Sequence, residues 1–203
     1  MSYKIIVARY NENIEWLLPE MDNCIIYNKG PLLNLQNEIC LENVGRESET
    51  YLHYIIENYD KLPDILIFTQ ADIKDHRGSN DIGHLICMKT EALHYGKSTP
   101  YVHSKSEELP WWQPNFNLIS GQVVQQNYYN NEQTIFRDWF EKFIDVYPEP
   151  IVIYTNGIFA VKKELVLSKP LQYYKELIKQ VNHHINPTEG HYFERSWYYI
   201  FSM

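Results

Sequence analysis

Three short, continuous apolar runs most constrain the fold of this chain. They are "KIIVA" near the start, "CIIY" at 24–27 and "DILIF" at 64–68. Continuous rather than alternating apolar residues are typical of strands that are buried on both faces, as in parallel sheets. Parallel strands need crossover connections, and crossovers place helices over the sheet. The runs therefore predict an α/β fold with a mostly parallel central sheet flanked by helices.

The segments around these runs carry helical and turn signals. Apolar side chains recur at helical spacing in 48–59, in 136–143 and after Pro170. "IEWLLPEM" predicts a short helix that is capped by Asn11 or Asn13 and ends near Pro19. "PIVIYTNGIFAV" predicts a strand, and the irregular stretch 74–131 predicts partly helical, functional loops.

The last predicted helix, "TEGHYFERSWYYIF", is amphipathic at 100° per residue. One face carries Phe193, Trp197 and Ile200, which predicts an anchor to the core. The opposite face is predicted to be a polar surface that can face a pocket. It carries His191, Glu194, Arg195 and Tyr198.

Size and charge limit the classes of function. A chain of 203 residues with 44% hydrophobic content predicts one domain over 1–203. Its net charge of −8 opposes a broad phosphate-binding face, so nucleic acid is not the expected partner. Three cysteines without CxxC spacing favour a reducing compartment. Because no run is apolar enough to span a membrane and none has the form of a signal peptide, a cytoplasmic location is expected.

Carboxylates follow the third apolar run at "FTQADIKDH". Gln70 and Asp72 stand at the predicted strand end, with Asp75 and His76 just beyond. Mg²⁺ and Mn²⁺ prefer carboxylate oxygens, and Mn²⁺ also accepts imidazole, so the group predicts a divalent metal site with Asp72 as its main ligand. The alternative is that both Asp residues serve only as turn or helix caps.

A second polar cluster, "ARYNEN", follows the first apolar run. In open α/β sheets, ligands bind beyond the carboxyl ends of strands, so these residues and 70–76 should line one crevice. Arg9 can pair with a phosphate, and Asn11 can hydrogen-bond a base or ribose. The alternative is a solvated Arg9 and an Asn11 that caps the next helix.

"NVGRE" opens the helix before the Asp72 strand. Glycine followed by Arg46 at a helix start offers backbone N–H groups, a positive dipole end and a guanidinium, which suit a diphosphate. The alternative is an ordinary cap by Asn43 or Ser48 with Arg46 on the surface.

Two further groups are candidates for catalysis and acceptor binding. Glu194 can act as general base and His191 can complete the metal shell, although Glu194 can also form only a surface ion pair. Trp111 and Trp112 can stack on sugar rings or anchor their loop to the core. Asn156 can contact an acceptor, or the glycine after it can mark only a bulge.

Together these segments resemble the GT-A family of nucleotide-sugar glycosyltransferases. "IIVARYNEN" resembles the family's first strand and loop, "FTQAD" stands at its Asp-x-Asp motif, and "GHYFERSW" lies where late His or acidic residues complete the site. The small glycosyltransferase domains of large algal DNA viruses, the chloroviruses, are more similar still, through "VARYNE", "NVGRE", "YLHYIIENYD" and "FERSW". The chain also resembles a fungal domain family of unknown function, through "VGRES", "TYL" and "NYDKLPD".

The resemblance implies a GT-A-like domain that transfers a sugar from a UDP-sugar, with UDP-L-rhamnose or UDP-glucose as donor and a viral capsid glycan as product, in the host cytoplasm. Gln70 replaces the first acid of the motif. Asp72, with Asp75 or a late His, must then hold the Mn²⁺ or Mg²⁺.

In this hypothesis Glu194, or else Asp75, is the base of an inverting enzyme. The residues that bind the nucleotide are Arg9, Asn11, Arg46, Gln70 and Asp72. Two alternatives stay open: a non-catalytic nucleotide- or sugar-binding module, and a metal-dependent phosphohydrolase that uses Asp72, Asp75 and His76.

Overall fold

The computed structural model describes residues 1–90, 93–94, 101–103, 118–119, 122–123, 136–154 and 157–202 and shows an α/β fold. The strands are β1 (Tyr3–Arg9), β2 (Cys24–Asn28), β3 (Glu38–Cys40), β4 (Ile65–Gln70), β5 (Leu93–His94), β6 (Tyr101–His103), β7 (Leu118–Ile119), β8 (Gln122–Val123), β9 (Ile151–Ile153) and β10 (Phe159–Lys162). The α-helices are α1 (Arg46–Asn58), α2 (Lys74–Arg77), α3 (Gly83–Ile86), α4 (Phe136–Phe143), α5 (Lys163–Leu167), α6 (Leu171–Ile178) and α7 (Thr188–Ser202). Further 3₁₀ helices span Glu15–Asn23, Tyr59–Lys61 and Cys87–Thr90.

The central sheet has the strand order β3-β2-β1-β4-β10-β5. Strand β1 lies inside it and pairs in parallel with β2 and β4, so that Ile6 lies opposite Ile25 on one side and Phe68 on the other. Strand β10 runs antiparallel to both β4 and β5. The sheet is therefore mostly parallel and flanked by helices, as the sequence predicts.

Both faces of the sheet are buried, which explains the continuous apolar runs. On one face, Ile6, Phe68 and Phe159 pack in a core with side chains from α1, α4, α5, α6 and α7. On the other face, Ile5 and Ile67 pack with the 3₁₀ helix Glu15–Asn23 and with α3. Each strand of the sheet centre thus needs apolar side chains on both sides.

The helix predictions for α1, α4 and α6 are confirmed, but the predicted helix after β1 differs. It is a 3₁₀ helix that includes Pro19 and continues to Asn23. Glu20 has non-helical angles (φ −122°, ψ 16°), so the segment is two short turns across a kink. Short 3₁₀ turns tolerate a proline that would break a longer α-helix.

The single strand predicted for "PIVIYTNGIFAV" is wrong, because two strands form there. Strand β9 pairs with β6 in a small separate sheet, whereas β10 joins the central sheet beside β4. Strand membership depends on partners that are distant in the sequence, which local apolar content does not reveal.

More residues of helix α7 are buried than its amphipathic pattern predicts. Phe193, Trp197 and Ile200 are fully buried, as predicted, but Arg195 on the predicted polar face is only 6% exposed. The helix packs against α1, α4, α5, β5 and β9. Because neighbours surround the helix on several sides, its predicted polar face is only partly exposed: Arg195 is buried, and His191, Glu194 and Tyr198 are half-buried.

Candidate functional site

A cavity of about 560 Å³ lies at the carboxyl ends of β1, β2 and β4. The start of α1 and the segment before α7 close it. Its lining comprises Ala8, Arg9, Tyr10, Glu12, Lys29, Asn43, Arg46, Glu47, Gln70, Asp72, Ile185 and Asn186. Since strand order reverses between β1 and β4, this is the edge at which open α/β sheets bind ligands.

Arg9 lies in the lining but is also tied into the surrounding loops. It is 7% exposed, and its Nη1 donates to Asn28 Oδ1 at 2.8 Å and to the carbonyl of Pro31 at 3.0 Å. Its Nε donates to the carbonyl of Glu12 at 2.9 Å. Arg9 is therefore not a solvated side chain, because it joins the loops after β1 and β2 as well as bordering the cavity.

The structure does not bring Asn11 into the described lining. Asn11 is exposed. The N-cap position of the following 3₁₀ helix is Ile14, so the predicted cap by Asn11 or Asn13 is wrong. Asn13 precedes the cap position, and its Oδ1 accepts a hydrogen bond from the backbone N–H of Glu15 at 2.7 Å.

The polar residues at and after the end of β4 lie in two different environments. Gln70 and Asp72 line the cavity, and Asp72 Oδ1 also accepts a hydrogen bond from the backbone N–H of Lys74 at 3.0 Å. Asp75 and His76 lie on the short helix α2, are exposed and are not part of the lining. Asp72 thus makes the predicted turn contact just before α2, whose N-cap position is Ile73, and it also borders the cavity.

The start of α1 has an unusual backbone. Gly45 has φ +65° and Arg46 has φ +52°, in the left-handed region that residues other than glycine seldom adopt. Gly45 is the N-cap and supplies no side-chain cap. Arg46 borders the cavity, and its Nη1 lies 3.4 Å from Asn186 Oδ1. The turn therefore directs this guanidinium and the positive end of α1 toward the cavity.

Lys29, which the sequence reasoning missed, holds this turn in place. Its ammonium donates to the carbonyls of Val44 and Arg46 and lies 2.8 Å from Glu49 Oε2, with the lysine side chain only 5% exposed. Burial lowers the pKa of Lys29, and the charge of Glu49 opposes that change. The signal was the polar pair Asn28-Lys29 at the carboxyl end of β2, at the same edge as Arg9 and Gln70.

Glu194 lies in an ion-paired cluster rather than in the described lining. Its Oε2 is 3.8 Å from His191 Nδ1 and 3.7 Å from Arg195 Nη1. Burial acts to raise its pKa, but the hydrogen bond from His191 and the charges of Arg195, His191 and Arg46 together lower that pKa to about 2. Such a carboxylate is a weak base near neutral pH, which opposes the role predicted for Glu194.

Glu47 is a second lining residue that the sequence reasoning missed. It lies in the first turn of α1, is 8% exposed, and its Oε2 is 3.6 Å from Arg46 Nε. Acidic residues are common in the first turn of a helix, because their negative charge interacts favourably with the positive end of the helix dipole. Only the position of α1 at the cavity edge distinguishes Glu47 from a surface residue.

The side chains that line the cavity could contribute to binding a divalent cation, but they do not supply a full set of protein ligands for one. Among the residues that the structure describes, no three His, Cys, Asp or Glu side chains form a metal cluster. Mg²⁺ is commonly held by one or two carboxylates together with substrate phosphates and water. Asp72, as a lining carboxylate beside a space large enough for a diphosphate, fits that arrangement. His191 is not part of the lining and is next to Glu194 instead.

The predicted acceptor-binding residues Trp111, Trp112 and Asn156 lie outside the described residues. In the described part of the chain, no helix has both the length and the apolar character needed to cross a membrane.

Comparison with known proteins gives a family but no characterised relative. No curated protein and no solved structure matches the chain. A family model does match, over residues 5–203, and its description is "Protein of unknown function (DUF3431)". The match covers the cavity-lining segments after β1, β2 and β4 as well as α1 and α7. This chain therefore belongs to the DUF3431 family.

Proposed function

We propose that the protein is a glycosyltransferase that binds a UDP-sugar in the cavity at the carboxyl ends of β1, β2 and β4 and transfers the sugar to a glycan. One observation carries the proposal: the cavity unites residues from separate segments that the sequence analysis assigned to the nucleotide. These are Arg9, Arg46, Gln70 and Asp72.

The size and chemistry of the cavity support this ligand class. Its volume of about 560 Å³ falls within the range of roughly 300–1,000 Å³ that small-molecule sites occupy. Arg46 and the start of α1 suit a diphosphate, since a guanidinium and a helix N-terminus both favour anions. Gln70 supplies an amide at the strand end, where it can hydrogen-bond a ribose or a base.

Asp72 would hold the Mn²⁺ or Mg²⁺ of the proposed reaction. When bound, the cation would neutralise the charge that develops on the UDP leaving group. Arg46 would bind the same diphosphate, and the glycan acceptor would approach from the open side of the cavity. UDP-L-rhamnose or UDP-glucose is the proposed donor, and a capsid glycan is the proposed acceptor.

A non-catalytic nucleotide-binding module is the second candidate. The observation that favours it is the ion-paired state of Glu194, whose pKa of about 2 makes it a poor base. The phosphohydrolase alternative has less support, because Asp75 and His76 are exposed on α2 and outside the described lining.

The test is calorimetric titration of UDP into the protein with Mn²⁺ or with EDTA. Asp72→Asn keeps an oxygen that can accept the hydrogen bond from Lys74, so it removes the charge while leaving the turn before α2 intact. We expect this variant to weaken Mn²⁺-dependent UDP binding at least about tenfold, or about 1.4 kcal/mol.

Asp75→Asn is the matched control, since it makes the same chemical change three residues later on an exposed surface. It should bind UDP as the wild type does. Failure of the wild type to bind UDP under either condition would contradict the nucleotide-sugar proposal.

A further inference from the structure

The carboxylates that line the described part of the cavity have different hydrogen-bonding states. Glu12 Oε2 accepts hydrogen bonds from two backbone amides of its own loop, at 2.7 and 3.1 Å. Asp72 Oδ1 accepts the hydrogen bond from the backbone N–H of Lys74. Within the described residues, no hydrogen bond reaches the carboxylate of Glu47, and the nitrogen of its ion pair with Arg46 is 3.6 Å away. Among the three lining carboxylates, Glu47 is therefore the one whose oxygens are not already used by a hydrogen bond within the described residues.

The surroundings of Glu47 hold its side chain in one place. A Cβ atom built on Gly157 would lie 3.1 Å from Glu47 Cγ and 3.5 Å from Tyr51 Cε2, so the backbone at Gly157 packs directly on both side chains. Tyr51 Oη donates a hydrogen bond to the carbonyl of Gly157 at 2.6 Å. Burial, with the charges of Glu47 and Glu194, raises the pKa of Tyr51 well above its usual value, so this donor keeps its proton.

The same contact places Glu47 against Gly157. In the sequence, Gly157 directly follows Asn156, which is one of the three predicted acceptor-binding residues. Strand β10 is antiparallel to β4, with Phe159 opposite Phe68, so Gly157 and Ile158 lie near the carboxyl end of β4. An acceptor hydroxyl group bound at this edge of the cavity would meet the carboxylate of Glu47, which lines it.

We infer that Glu47, rather than Glu194, is the general base of the proposed transfer, an inference that rests on the proposed function. The Glu47 carboxylate takes the proton of an acceptor hydroxyl as that oxygen bonds to the anomeric carbon of the sugar. The bond from the anomeric carbon to the diphosphate oxygen breaks, and UDP leaves with the electron pair. Glu47 ends the step protonated and returns its proton to solvent.

The experiment compares Glu47→Gln with wild type in two assays on the full chain. The first is calorimetric titration of UDP with Mn²⁺. The second measures UDP release from UDP-glucose and from UDP-L-rhamnose, with a mixture of methyl glycosides as acceptors, across pH. We expect Glu47→Gln to bind UDP within about threefold of wild type while its kcat falls at least about 100-fold, the usual effect of losing a general base. The acidic limb of the kcat profile should disappear in the variant.

Glu57→Gln is the matched control, because Glu57 is exposed near the other end of the same helix. Turnover by Glu47→Gln within about fivefold of wild type would overturn the inference, and so would loss of its UDP binding. Wild-type UDP binding without UDP release from either donor would overturn it too and favour the binding module. Failure of the wild type to bind UDP would instead reject the proposed function itself.

Discussion

At the scale of single residues, the cavity depends on one close backbone approach. Gly30 follows β2, and a Cβ atom built there would lie 1.8 Å from the carbonyl oxygen of Tyr10. No side chain fits at that distance, so the loops after β1 and β2 can touch only because position 30 has none. The Tyr10 side chain, 49% exposed at the cavity border, is placed by this contact.

We expect Gly30→Ala to lower the free energy of unfolding by about 1–3 kcal/mol, because the new methyl group must displace the backbone of the Tyr10 loop. UDP binding should weaken as well, since the same loop lines the cavity. Urea unfolding monitored by fluorescence measures the stability change.

The control is Gly190→Ala in α7. A Cβ atom there would meet Arg46 Cδ at 3.9 Å and Pro187 Cγ at 4.0 Å, which are ordinary contacts. This change should be neutral or stabilise the helix by up to about 1 kcal/mol. Equal stability of Gly30→Ala and wild type would show that the loops separate without cost.

Residue roles were the hardest feature to predict from sequence. Arg9, Arg46, Gln70 and Asp72 were found because each stands at a strand end or helix start that the apolar pattern locates. Lys29 and Glu47 were missed because a lysine in a loop and a glutamate in a first helical turn have ordinary explanations. Their importance depends on burial at the cavity, which sequence spacing does not encode.

At the scale of elements, α7 shows how packing changes a polar face. Arg195 is 6% exposed, and burial lowers its pKa to about 10 although the charge of Glu194 acts in the opposite direction. The helical periodicity predicted that this face lies toward a pocket. In the structure, α1, α4 and α5 also pack against the helix. Hydrophobic periodicity identifies the more apolar face of a helix, but it does not show how many other elements pack against the opposite face.

The low pKa of Glu194 predicts acid sensitivity. Its pKa falls from 4.5 to about 2 on folding, so its contribution to stability is complete above pH 4.5 and is lost as the pH falls toward 2. Between pH 6 and pH 3, we expect wild type to lose about 2 kcal/mol more unfolding free energy than Glu194→Gln does. Urea unfolding at the two pH values measures this difference.

Glu57→Gln is the control, because it makes the same change from carboxylate to amide at an exposed position. This variant should keep the acid sensitivity of the wild type. If Glu194→Gln loses as much stability on acidification as wild type, the ion-paired cluster around Glu194 does not form in solution.

At the scale of the whole molecule, the mostly parallel sheet was predictable because both of its faces are covered. Two cores, one on each face, require apolar residues at successive positions of β1 and β4, and such runs are visible in the sequence. The late strands were not predictable in the same way. Strands β9 and β10 are close in the chain but belong to different sheets, because their partners come from distant segments.

Ligand binding should stabilise the whole fold, since the cavity joins segments from residue 8 to residue 186. With UDP at 100 times its Kd and with Mn²⁺, linkage gives about 2.7 kcal/mol of added stability. For a chain of this size we expect Tm to rise by roughly 5–10 °C. Arg46→Ala should show about half of that rise at the same UDP concentration, because a tenfold weaker Kd removes about 1.4 kcal/mol.

Differential scanning calorimetry measures the rise, and Arg137→Ala on the exposed surface of α4 is the matched control. It should keep the full ligand-induced rise. A rise in Arg46→Ala equal to that of wild type would place the diphosphate away from the start of α1.

The buried ammonium of Lys29 has a further consequence for recognition. By binding the carbonyls on both sides of the Gly45 turn, it fixes the left-handed backbone of Arg46 when the chain folds. A ligand then meets a preorganised guanidinium and loses little conformational entropy on association at this turn. If the cavity binds the proposed diphosphate, its selectivity for anions would thus depend in part on an ion pair between Lys29 and Glu49 that is itself buried away from solvent.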